Sequence, residues 1–173
     1  MTTAANRAPT ACRTLVDEAR LIEANINPRT GFATDYLNHF NEAIMLLELL
    51  AEMPECLDDF FAWQPKKYDE HFAASKSRHR DVTLAAYAEA DPERRRRLDM
   101  LADSMNEILM ATREVMRQDL ARGNAPLIAN LAVRWVKPLI ARTRAVINGT
   151  EAEERAIGGR VNPQTAVDAL LAR

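Results

Sequence analysis

Three histidines, His39, His71 and His79, are the side chains most able to do chemistry in this sequence. Asp35 stands four residues before His39 and Glu42 three residues after it, and on a helix these three share one face. Glu70 and His71 are adjacent and fall on the next long helical segment. Inward carboxylates and imidazoles of this kind hold metal pairs in four-helix bundles. His39, Glu42 and His71 are therefore the candidate metal ligands, and Asp103, Glu107 and Glu114 are the carboxylates a later helix can add. The order His39, Glu42 reverses the usual Glu-x-x-His, and one histidine per helix is below the usual ligand count. The competing expectation is that His39 packs at the bundle end, hydrogen-bonded to Asp35. An exposed His39 would instead suit a histidine phosphotransfer bundle, although the residues characteristic of such a site are missing around it.

No other motif fixes a reaction. There is no glycine-rich phosphate loop, no Walker signature and no nucleophile elbow. Ser75, Ser77 and Ser104 stand in plain helix or loop contexts, and neither Cys12 nor Cys56 neighbours a histidine. The cysteines are too few and too far apart for a disulfide framework or a metal-type pair. No catalytic residue is expected, and no cofactor is named by the sequence.

Charge points to surfaces rather than to a site. The net charge is −2, which speaks against bulk attraction to nucleic acid. Its distribution is uneven. Asp17 to Asp59 holds ten acids and two bases, whereas Ala111 to Asn148 holds seven bases and two acids. These regions are expected to face each other within the fold or across a homodimer. Arg94 to Arg97 opposes the dipole of the helix it begins, so helix stability does not account for it. Arg94, Arg95 and Arg97 are accordingly candidates for contact with an anionic partner. Aromatic residues are too sparse beside them for a base-stacking platform.

The elements that must position these residues are helical. The chain is 173 residues long, 47% hydrophobic, with only five glycines; that suits one domain with a real core and long helices rather than tight-turned sheets. The fold class expected is all-α: an up-and-down bundle of four to five main helices plus a short C-terminal helix on a linker. Residues 1–9 read as a disordered N-terminus, 10–149 as the bundle, 150–160 as a linker and 161–173 as an amphipathic helix. Helix one spans Thr10 to Ile26 and stops at Asn27-Pro28. Helix two, capped by Thr34, runs to about Glu52 and is apolar round most of its circumference, as a central helix is. Glu55 to Trp63 makes a short helix. Tyr68 to Ala90 makes a third long one, with a break expected near Ser75 to His79. Asp91-Pro92-Glu93 opens the fourth as cap, first helical position and first-turn acid. Its seam is Leu98, Leu101, Met105, Ile108, Thr112, Val115 and Asp119. The fifth runs from Pro126 to about Asn148, with a kink expected at Pro138. No apolar run reaches membrane length, and no secretion signal stands at the N-terminus, so the default compartment is cytoplasm.

The last thirteen residues carry the most informative pattern. Ala166, Val167, Leu170 and Leu171 recur at helical spacing, beyond a polar stretch that contains Gly158-Gly159. A helix this short is marginal alone in water and must dock on something. Its Val167-Asp168-Ala169-Leu170-Leu171 core resembles the hydrophobic-Asp-x-Leu-Leu helix at the N-terminus of flagellar motor switch proteins, and the tail of the chemotaxis phosphatase is similar. Those peptides bind a receiver domain, so the resemblance implies helix-in-groove docking. It covers about a dozen residues. The phosphatase's catalytic Asp-x-x-x-Gln is absent. The function expected is non-enzymatic: a regulatory or adaptor protein in bacterial signalling, binding a protein partner through Val167, Leu170 and Leu171. A metal-binding bundle and a phosphotransfer bundle are the alternatives.

Overall fold

A computed structural model describes residues 15–150, together with Thr165 and Asp168. Seven α-helices stand among the described residues: α1 (Leu15–Glu23), α2 (Tyr36–Leu49), α3 (Cys56–Ala62), α4 (Tyr68–Ala73), α5 (Arg80–Glu89), α6 (Pro92–Asp119) and α7 (Ala125–Asn148). The only extended pairing among these residues is an isolated antiparallel bridge between Ile26 and Ala33. The protein is all-α. No described helix is long and apolar enough to cross a membrane.

Helix α1 ends earlier than Asn27-Pro28. Asn25 takes a left-handed conformation, φ 59°. Its N–H bonds the Ile22 carbonyl at 3.0 Å, and the Ile26 N–H bonds Leu21 at 2.8 Å. This is a Schellman stop with asparagine in the glycine position, and its hydrophobic partners Leu21 and Ile26 are both buried. Ile26 thus leaves the helical stripe for the bridge, and Ile22, expected on that stripe, is 60% exposed. Helix α2 begins after Asp35 rather than Thr34, and no side chain caps it.

The third long helix is two helices. Ser75 Oγ accepts from Ser77 N at 3.1 Å, and Ser77 Oγ accepts from His79 N at 3.2 Å. These serines offer the backbone an alternative to helical bonding, and the chain breaks where Ser75 to His79 was expected to break it. Asp91 caps α6 as the sequence requires, accepting from Arg94 N at 2.9 Å. Of the α6 seam, Leu98, Met105, Ile108 and Thr112 are buried. Leu101 and Val115 pack against the core from its margin. Helix α7 continues through Pro138. Pro138 is exposed, so water can reach the Arg134 carbonyl that loses its donor there.

Helices α2, α6 and α7 form the spine of the bundle. Tyr36, Phe40 and Leu47 of α2 pack with Met105 and Leu109 of α6 and Ala132, Val136 and Ile147 of α7 in one core. The short helices α3, α4 and α5 close the remaining side. Thr30 Oγ1 donates to the Ile147 carbonyl at 2.6 Å, which fixes the end of α7 against the α1–α2 loop.

Candidate functional site

The residues that sequence reasoning selected converge in part. Helix α2 places His39, and the segment after α3 places Trp63. Their rings stack at 4.6 Å with an interplanar angle of 23°. Trp63 Nε1 donates to the His39 carbonyl at 3.1 Å, locking the indole over the imidazole. Helix α4 brings His71 to 5.6 Å from the His39 ring and 5.6 Å from the Tyr36 ring. Tyr36 donates its hydroxyl to the Lys66 carbonyl at 2.9 Å, which pins the loop between α3 and α4.

A second aromatic layer continues the first. Tyr68 stacks on Tyr87 at 4.5 Å, and its hydroxyl accepts from Ala33 N at 2.7 Å. Tyr87 donates to Asp99 Oδ1 at 2.6 Å. Helix α6 faces both layers with one flank. Asp99, Asp103, Asn106, Arg113 and Arg117 recur along it at helical spacing. Arg113 Nη1 donates to the Trp63 carbonyl at 2.9 Å, and Arg117 lies over the Phe61 ring at 5.1 Å.

Burial sets the chemistry of this layer. His39 is only 6% exposed. Its Nε2 is buried and has no hydrogen-bond partner. Removal from water, with His71 and Lys66 adding repulsion, pushes its pKa down from 6.5 to about 4. His71 is lowered by burial and by Lys66, against the opposing pull of Asp35. Both imidazoles are neutral at neutral pH. Burial drives the Tyr36, Tyr68 and Tyr87 phenols upward, and Asp99 adds to the rise at Tyr36 and Tyr87. The hydroxyls therefore keep their protons and serve as hydrogen-bonding groups.

The three candidate ligands do not assemble. His39 and His71 meet, but Glu42 is exposed. Among the described residues no group of three or more His, Cys, Asp or Glu side chains is placed to hold a metal ion. The exposed imidazole that phosphotransfer requires is not what α2 presents, because Trp63 covers it. His39 packs, as the competing expectation had it, but against Trp63 and His71. The Asp35 side chain instead accepts from Asn25 Nδ2, at 3.5 Å.

The arginine run divides its work. Arg95 lies 5.7 Å over the Tyr87 ring and donates to the Ala88 carbonyl at 3.1 Å, so it joins α6 to α5. Arg96 and Arg97 pair with Glu93 in their own first turn, at 2.7 and 3.8 Å. Arg94 approaches the turn at Gly149. Val167, Leu170 and Leu171 lie outside the described residues. Thr165 and Asp168, on the same segment, are helical and exposed.

Sequence reasoning missed Trp63, Tyr36 and Arg113. Tyr36 and Phe40 are one turn apart, which was a readable signal for an aromatic face. Arg113, among the seam residues Thr112, Val115 and Met116, was a readable signal for a buried guanidinium with carbonyl partners. No protein-family model, no curated protein and no solved structure matches this chain.

Proposed function

We propose that this chain is a non-enzymatic regulatory or adaptor protein, in which a helical bundle presents the segment 161–173 to a protein partner. The observation that carries this reading is the pattern of that segment. A hydrophobic-Asp-x-Leu-Leu run follows the ten residues 151–160. Its two described residues, Thr165 and Asp168, are helical and exposed. They stand at i and i+3 and so share a face, which helical spacing leaves free of Val167 and Leu170. That is the arrangement of an amphipathic helix that enters a groove. The packing of the polar layer supports the same reading. His39, Tyr36 and Arg113 are engaged in joining α2 and α6 to the segment between α3 and α4, and Tyr87 in joining α5 to α6.

The resemblance of the tail selects the probe. Purified receiver domains, unmodified and in their beryllofluoride-activated form, are titrated calorimetrically with the full chain and with the chain lacking 161–173. Binding to the full chain that vanishes on deletion, with Tm changed by only a few degrees, is the expected result. Equal binding by both chains, or a collapse of Tm on deletion, would overturn the reading.

A further inference from the structure

One apolar seam remains on the outside of the bundle, between α6 and α7. The pair formed by Glu48 and Lys137 turns one flank of α7 toward α2. The bonds from Arg113 to Trp63 and from Tyr87 to Asp99 turn one flank of α6 toward α3 and α5. The helices pack closely along their length, so their two other flanks border one seam. Leu127, Leu131, Trp135 and Arg142 follow one another along that flank of α7, and Ala111 and Val115 lie on the matching flank of α6. Leu127 is 50% exposed. Leu131, Trp135, Ala111 and Val115 are partly buried, each with one side on the core. A half-covered tryptophan in line with two leucines forms an apolar strip of the width a helix covers.

We infer that this seam is the docking site of the chain's own segment 161–173, which closes over it when no partner holds the segment. The inference rests on the reading of that segment as an interaction helix. Three observations select it over other occupants. The first is reach. The α7 helix ends at Asn148, about 20 Å along its axis from Trp135. Residues 151–160 span up to about 35 Å when extended, enough to double back along α7. The second is length. A thirteen-residue helix is about 20 Å long, and the strip from Leu127 to Arg142 is about 22 Å. The third is charge. The segment and its approach bring Glu151, Glu153, Glu154 and Asp168 toward a flank of α7 on which Arg142 lies in line with the strip and Arg134 beside it.

Closure in cis competes with the partner for Val167, Leu170 and Leu171. Opening the seam by substitution therefore tightens partner binding, whereas substitution in the segment abolishes it.

Hydrogen exchange read by mass spectrometry on the full chain tests the closure without a partner. The amides of 161–173 are expected to exchange about tenfold or more slowly than in a Leu170→Asp, Leu171→Asp chain, since an isolated helix of this length gives almost no protection. Leu131→Asp and Arg142→Glu are each expected to remove that protection while leaving the amides of α2 unchanged, which shows the bundle intact. Protection is expected to be constant over a dilution series. Protection that grows with concentration would assign the seam to a second copy and overturn the inference, as would no protection or insensitivity to both seam substitutions. Receiver-domain binding is scored separately. Protection without any such binding leaves cis docking standing and removes the adaptor reading, and binding without protection does the reverse.

Discussion

Acidification should weaken this fold through His39. The side chain is 6% exposed, its Nε2 has no partner, and His71 and Lys66 stand where a second positive charge would be repelled. Its pKa falls from 6.5 to about 4 on folding. The unfolded chain therefore takes up the proton first as pH drops. The stability that neutral His39 contributes is fully present above about pH 6.5 and is lost between there and about pH 4. At 1.36 kcal/mol for each pH unit within that window, a shift from pH 7.5 to 4.5 removes about 2.5 kcal/mol. His71 is lowered too and adds to the loss in the same direction. The perturbation is His39→Phe, which keeps a ring over Trp63 and removes both the titration and the orphaned nitrogen. The assay is urea denaturation followed by circular dichroism at half-unit steps of pH. With a slope of about 2 kcal/mol/M for a chain of this size, the midpoint of the native protein should fall by about 1.2 M over the window because of His39 alone. Carboxylates that titrate below about pH 5 act equally in both chains and cancel in the comparison. The phenylalanine chain should be at least as stable at pH 7.5 and show a flatter profile above pH 4.5. Parallel profiles would refute the argument, because they would mean that His39 meets water in the folded protein.

Two further substitutions probe the joints around this layer. Arg113→Ala leaves the Trp63 carbonyl without its 2.9 Å donor and should cost about 2–4 kcal/mol in thermal or urea denaturation; Arg113→Lys should recover only part, since a point charge cannot reproduce the fork. Gly149 and Gly123 both have φ near +72°, but a Cβ at Gly149 would lie 3.2 Å from Thr30 Cγ2 whereas at Gly123 it meets nothing within 4 Å. Gly123→Ala should therefore cost about 1 kcal/mol from backbone strain alone and Gly149→Ala clearly more; equal losses of Tm would show that the contact with Thr30 yields freely.

Legibility in the sequence follows the range of the interaction responsible. The start of α6 depends on Asp91, Pro92 and the Arg94 N–H, all within four residues, and its cap forms as read. The break between α4 and α5 depends on Ser75 and Ser77 bonding two residues ahead, and the doubtful span was placed there. The end of α1 was misplaced because asparagine can do glycine's work in a Schellman stop, and only the fold decides whether Leu21 and Ile26 can meet. The environment of His39 was beyond reach for a stronger reason. Its face on α2 carries Asp35 and Glu42, which reads as polar, yet Trp63 from 24 residues on covers it. The same limit applies to Arg95, whose role is fixed by Tyr87 on a different helix. Charge balance over long stretches identified the basic character of α7 but could not single out Lys137 as the partner of Glu48.

The clamp at the end of α7 gives the tail its thermodynamic setting. Thr30 holds the Ile147 carbonyl, and Thr150 N returns to the Ala145 carbonyl at 2.9 Å, so Thr150 is a fixed point. A segment tethered there by about ten residues samples the α6–α7 seam at an effective concentration of roughly 1 mM. A bare contact of only about 100 µM would then be closed about ten times out of eleven. The partner's apparent affinity falls by the same factor of about ten, because it binds only the open fraction. Leu131→Asp should therefore tighten receiver-domain binding about tenfold, while Leu170→Asp removes it. A seam substitution that leaves partner affinity unchanged, in a chain whose tail amides are protected, would mean that the docked helix still offers its binding face. The seam and the partner would then be reading opposite sides of the same thirteen residues.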